Sequence, residues 1–175
     1  IMLDKSFEAI EPSPTALAQI HQIGGPTGFM GGFKSTPGIL MFHAENGYYD
    51  FDWLYLHGSR TDIKQLDLKF RLLPLDEMKG KWNDISFCLD FAKNNMSLWV
   101  NGKRKFNINQ PPHGLHLPES IFFKYGIYQS FTTWYKEEHN KDKTPTQIVY
   151  YDEIRRGSSI EEVDFNINPN LKVID

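Results

Sequence analysis

The chain has 175 residues, enough for one domain with a substantial core and too few for two of ordinary size. Its formal net charge of -3 comes without the basic stripe that a nucleic-acid partner requires, and no apolar run is long enough to span a bilayer. The single cysteine, Cys88, excludes an internal disulfide, and with no basic neighbour in sequence it reads as a structural thiol rather than a nucleophile.

Helical periodicity is scarce. Short alternating or aromatic-rich runs bounded by Gly, Pro and Asn recur instead, which predicts an all-β sandwich or barrel. Strands are expected near 2–8, 15–23, 38–43, 48–57, 63–72, 81–91, 96–101, 103–108, 119–129 and 147–156. Ile1-Met2-Leu3 opens directly on the first strand with no polar lead-in, and a sandwich of this many strands is ordinarily longer. The chain, one domain over 1–175, is therefore expected to be a fragment lacking upstream strands. After Pro74, Leu75-Asp76-Glu77-Met78-Lys79 fits a single helical turn. Asn101-Gly102 lies between two strand-like runs and predicts a tight hairpin, because Asn-Gly supplies the positive φ angles that a primed turn needs. Residues 110–118, with Pro111, Pro112 and Pro118, read as a connection, and the polar run 134–146 as a long mobile loop.

Two of the strands carry chemistry. In 15–23, alternation places Gln19 and His21 on one face and Ala18, Ile20 and Gln22 on the other. In 121–130, it assigns Ile121, Phe123, Tyr125 and Ile127 to the core, and Phe122, Lys124, Gly126 and Tyr128 to the opposite face. The Cα atoms of Lys124 and Tyr128 stand roughly 13 Å apart, about the span of two or three sugar rings. Gly126 between them leaves room for a ligand against the sheet. Together the strands supply an amide, an imidazole, an ammonium and a phenol.

That set suits β-elimination from a uronic acid. The C5 proton is weakly acidic because the adjacent carboxylate repels the developing carbanion. A donor such as Gln19 can polarise or neutralise that carboxylate. A base must take the proton and an acid must protonate the leaving glycosidic oxygen. The imidazole of His21 is a residue type that titrates near neutrality. Tyr128 can serve as acid, or as both acid and base, where a nearby cation stabilises its phenolate. Lys124 is a candidate for that cation or for a ligand of a substrate carboxylate. A glycoside hydrolase of similar fold would need paired carboxylates, and the Lys124/Tyr128 face of its strand offers none. His43 and His57 end apparent strands, His113, His116 and His139 lie in connections, and no spacing among them resembles a zinc site. Trp134 and Tyr135 follow the second strand, where their rings either stack on sugars or anchor the loop.

The motifs carry a family resemblance. Gln19-Ile20-His21 resembles the Gln-Ile-His motif of jelly-roll alginate lyases, and Phe122-Phe123-Lys124-Tyr125-Gly126-Ile127-Tyr128 resembles their Tyr-Phe-Lys-x-Gly-x-Tyr motif. The stretch 148–157, and the middle segments Gly80-Lys81-Trp82-Asn83-Asp84 and Leu98-Trp99-Val100-Asn101-Gly102, are similar to heparin lyase I and glucuronan lyase. The likeness runs over most of 15–165. It implies a concanavalin-like β-jelly roll whose concave sheet binds an acidic polysaccharide, with Gln19 as carboxylate neutraliser, His21 and Tyr128 as the base and acid pair, and Lys124 as a substrate ligand. It further implies a secreted or periplasmic protein, with a structural calcium ion near Asp152 as its cofactor. One departure stands out. Lyases of this type carry an arginine on a strand before the Gln-Ile-His strand, and residues 1–14 contain none. Either an upstream segment or second chain completes the sheet, or Lys69 and Arg71, which share a strand face, substitute. The same fold hosts lectins, so a non-catalytic carbohydrate-binding or inactive lyase-like domain is the alternative.

Overall fold

Two Asn-Gly turns organise the strand pairing. Asn101 and Gly102 take φ angles of 51° and 72° and close the expected hairpin. Asn46 and Gly47, at 50° and 78°, close a second hairpin that the strand spacing alone does not single out. The structure, a computed structural model, describes residues 1–23, 40–59, 62–90, 93, 95–109, 120–129 and 132–172, without the side chains of 21–23, 54–59, 62–67 and 120. Its strands are β1 (Met2–Leu3), β2 (Thr15–Ile23), β3 (Leu40–Glu45), β4 (Tyr48–Ser59), β5 (Asp62–Pro74), β6 (Ile85–Asp90), β7 (Asn95–Val100), β8 (Lys103–Asn109), β9 (Ser120–Gln129) and β10 (Val149–Tyr150). The helices are α1 (Leu75–Met78), the single turn expected after Pro74, and α2 (Thr132–His139).

A five-stranded antiparallel sheet has the order β5-β4-β3-β2-β9, and a three-stranded one the order β6-β7-β8. They stack face to face in the all-β jelly-roll arrangement. Alternation drives the stacking: Leu40, Phe42 and Ala44 of β3 and Tyr49, Phe51 and Trp53 of β4 are buried against Met96, Leu98 and Val100 of β7. The Phe42 ring centroid lies 5.7 Å from that of Phe87, and Phe70 stacks on Phe106 at 4.2 Å. Each such ring contributes about 1.5–3 kcal/mol when fully buried, so these contacts fix how the sheets sit on each other.

Four expectations change. Ile121, Phe123, Tyr125 and Ile127, assigned to the core, are 40–54% exposed. The reason is width: among the described residues β9 is the edge strand of five, and the three opposing strands leave it partly uncovered. Phe123 does reach Phe87, with ring centroids 5.9 Å apart, and Tyr125 meets Tyr151 at 5.3 Å. Next, the polar run 134–146 begins as helix α2, because Tyr135 is buried and its ring packs one turn along on His139 at 4.5 Å. The strand expected over 2–8 stops at Leu3, where Asp4 accepts hydrogen bonds from the Ser6 N–H and hydroxyl and turns the chain. Finally, the strand expected over 147–156 shortens to β10, since Glu153 takes a φ of 52° that no ladder accommodates. Side chains tie that segment down instead: the Tyr151 hydroxyl donates to the Leu17 carbonyl at 2.6 Å, and Arg155 pairs with Glu153.

Candidate active site

Cross-strand partners project to the same face of a sheet, so the register of the five-stranded sheet defines rows. One row holds Lys124, Gln19, Met41, Asp52 and Lys69, running from β9 through β2, β3 and β4 to β5. The next holds Tyr128, Ala16, His43, Asp50 and Arg71. Both rows lie on the face turned away from the second sheet, because the intervening residues Ala18, Phe42, Phe51 and Phe70 pack in or against the core. A bulge in β2 makes the second row possible. The register shifts between Ala16 and Ala18 against both neighbours, so Leu17 and Ala18 pack in the core while Ala16 joins the polar face.

The β2–β9 half of this face brings the two motifs together. Gln19 is half-buried and partners Lys124, which is exposed and makes no ion pair among the described residues. The Lys124 ammonium lies 5.0 Å from the centroid of the Phe122 ring. Tyr128 is 59% exposed. His21 is registered against Phe122; its side chain lies outside the described residues. Gly126 has a φ of 129°, and a Cβ there would meet nothing within 4 Å. The space above it is open, and backbone conformation rather than crowding calls for glycine.

The β3–β5 half is a closed charge network. Lys69 donates a hydrogen bond to Glu45 and lies 3.8 Å from Asp52. His43 Nε2 stands 3.5 Å from Glu45 and 3.4 Å from Asp52. Arg71 Nε is 3.8 Å from Asp50, and its guanidinium covers the Tyr48 ring at 3.7 Å. Burial, reinforced by Lys69, pushes His43 below its usual pKa against the pull of Glu45 and Asp50. Burial raises Asp50, with Arg71 opposing it. Burial acts the same way on Glu45, but the hydrogen bond and charge of Lys69 outweigh it and hold that carboxyl below its ordinary value.

This network bears on three sequence expectations. Lys69 and Arg71 share a face, yet β5 is three strand spacings from β2, roughly 14 Å, and both cations already meet carboxylates. They do not stand beside Gln19 as its clamp. The polar face does carry carboxylates, Glu45, Asp50 and Asp52, although they come from β3 and β4 rather than β9. The histidine that joins a ligand cluster does so across a hairpin, which no spacing along the chain reports. These residues were nevertheless within reach of the sequence. Alternation in Met41-Phe42-His43-Ala44-Glu45 and Tyr49-Asp50-Phe51-Asp52-Trp53, folded about the two-residue turn Asn46-Gly47, pairs His43 with Asp50.

Of the two aromatics after β9, Trp134 is 51% exposed, while Tyr135 is 4% exposed. Tyr135 therefore anchors the segment and is not a sugar platform; packing on His139 pulls it inward. Asp152 is exposed and accepts a hydrogen bond from the N–H of Glu153. Calcium needs several oxygen ligands, and among the described residues no cluster of three potential ligand side chains includes Asp152. Burial, with Asp90 adding to it, pushes the Cys88 thiol up, in keeping with an inert structural role.

The geometry is thus a sandwich with one half-open polar face, on which an amide, an ammonium and a phenol converge. The model of the family described as Polysaccharide lyase matches residues 1–155. No curated protein and no solved structure matches the chain. The family match spans both motif strands and both stacked sheets, and on it the chain belongs to the polysaccharide lyase family.

Proposed function

We propose that this chain cleaves a uronate-containing polysaccharide by β-elimination on the β2–β9 half of its polar face. The observation that carries the reading is the register in which Gln19 partners Lys124 and His21 partners Phe122, with Tyr128 in the adjoining row. Gln19 donates to the uronate carboxylate and stabilises it as negative charge builds up. The base removes the C5 proton, and the electron pair of that bond forms a C4=C5 double bond. The C4–O bond to the leaving sugar breaks, and its oxygen takes a proton from the acid. His21 and Tyr128 fill these two roles. Lys124 binds a carboxylate of the same polymer, and the exposed ring of Trp134 offers a stacking surface. Such polymers lie outside the cytoplasm, which favours a secreted or periplasmic site of action.

One observation favours a second reading: no arginine partners Gln19 in its row among the described residues. A lyase-like domain that holds the glycan without cutting it would have this face. The two readings separate on product. Glucuronan, alginate, hyaluronan and heparin are each incubated with the protein, and the ultraviolet absorbance of the unsaturated sugar is followed. Elimination predicts a rise with at least one polymer, lost in Tyr128→Phe and in His21→Ala. Saturable binding without a rise transfers the case to the glycan-holding domain.

A further inference from the structure

The β3–β4 hairpin gathers an imidazole and two carboxylates beneath the polar face. The candidate ligand atoms of His43, Glu45 and Asp50 all lie within 4.8 Å of one another. His43 is 2% exposed and Asp50 1%. Neither ring nitrogen of His43 makes a hydrogen bond, and neither does Oδ1 of Asp50. Buried polar atoms are ordinarily hydrogen-bonded; here Nε2 of His43 only faces the carboxylates of Glu45 and Asp52 at 3.5 and 3.4 Å, and Nδ1 is left without a hydrogen bond, a geometry that a shared cation would satisfy.

We propose that His43, Glu45 and Asp50 form a binding site for a divalent transition-metal ion of the zinc class. The donor set selects the ion. One imidazole nitrogen and two carboxylate oxygens suit Zn2+, whereas Ca2+ takes about six to eight oxygens. Ligands around a tetrahedral zinc stand roughly 3.4 Å apart, so the site closes by modest side-chain rotation. Glu45 is the last residue of β3 before the turn.

Lys69 supplies an independent support. Its ammonium sits on Oε2 of Glu45, the same oxygen that lies 3.5 Å from His43 Nε2. A cation therefore already rests on a ligand atom, and the Lys69 side chain is 42% exposed, with a path to withdraw into solvent. The carboxylates Glu45, Asp50 and Asp52 outnumber the cations Lys69 and Arg71 in the cluster.

The proposal does not depend on the elimination reading, and its test needs no glycan. The chelator-treated protein is titrated calorimetrically with Zn2+, and separately with Ca2+. One Zn2+ per chain is expected, with binding lost in His43→Ala and weakened roughly 100-fold in Glu45→Gln. Lys69→Met is expected to tighten binding about tenfold by removing the competing ammonium. His139→Ala, at a histidine outside the cluster, controls for adventitious histidine binding and is expected to change nothing. Circular dichroism checks each variant for folding; if His43→Ala is unfolded, Glu45→Gln and Lys69→Met decide. The assignment is overturned by the absence of stoichiometric Zn2+ binding, by tighter binding of Ca2+ than of Zn2+, or by Zn2+ binding that ignores both Glu45→Gln and Lys69→Met.

Discussion

On β3, β4 and β5, the cations of the polar face are matched to carboxylates: Lys69 to Glu45 and Asp52, Arg71 to Asp50. On β2 and β9, Lys124 stands beside a neutral amide and meets no carboxylate among the described residues. The two halves share one sheet and one register, yet among the described residues only the second presents a lysine that meets no carboxylate. The difference comes from strand content. The β3–β4 hairpin places three acids at polar-face positions, whereas β2 offers Ala16 and Gln19 at the equivalent rows. A surface whose cations are already matched to carboxylates has little field to attract a polyanion, so under the proposed function the acidic polymer binds on the β2–β9 side.

The strongest way to break this comparison is Tyr128→Phe. It is expected to slow elimination by roughly 100- to 10,000-fold, the range for losing a general acid or base. The melting temperature should hold, because the Tyr128 side chain is 59% exposed. A variant that melts earlier while keeping its rate would move Tyr128 from chemistry to packing.

The next largest contrast sets the two lysines against each other. Lys124→Met is expected to raise KM about tenfold with little change in kcat, the signature of lost ground-state binding. Lys69→Met is expected to leave KM alone and lower stability by about 1 kcal/mol in urea denaturation, a figure discounted for the partial exposure of the lysine. If the two variants exchanged phenotypes, the halves would have been assigned the wrong way round. Ionic strength gives a milder test. Raising salt from about 0.05 to 0.5 M shortens the screening length severalfold, which weakens glycan binding through Lys124. Thermal stability should barely move, since the buried contacts of His43 and Asp50 are screened much less.

The smallest effect concerns the open edge. Ile127→Lys on β9 is expected to change stability by no more than about 0.5 kcal/mol, because Ile127 is already 40% exposed. It should raise the concentration at which the protein aggregates in light scattering, as a charge on an edge strand blocks pairing with another chain. No change in aggregation would mean that something outside the described residues already shields that edge.

Much of the fold was legible because it is written in local rules. Alternation with bounding turn residues located Thr15–Ile23 to the residue, and Ser120–Gln129 and the Asn101-Gly102 hairpin almost as closely. The candidate site was half legible for the same reason: Gln19 and Lys124 each follow from the period of one strand. What escaped were properties of coverage and pairing. Period two divides β9 into two faces, but whether either is buried depends on how many strands stand opposite. The bulge at Leu17 is likewise invisible to a counting rule, yet it aligns Ala16, His43 and Tyr128 in one row.

The sequence by itself determined the all-β class, the two motif strands and their chemical inventory, since each rests on side-chain alternation and turn conformation within a few residues. Tertiary structure alone decided that β9 would be a half-covered edge, that Tyr135 would be buried, and that Lys69 would be bound to Glu45 rather than offered to a ligand. Those outcomes depend on distances between segments far apart in the chain. Burial and ion pairing are set by such distances, and no local period encodes them.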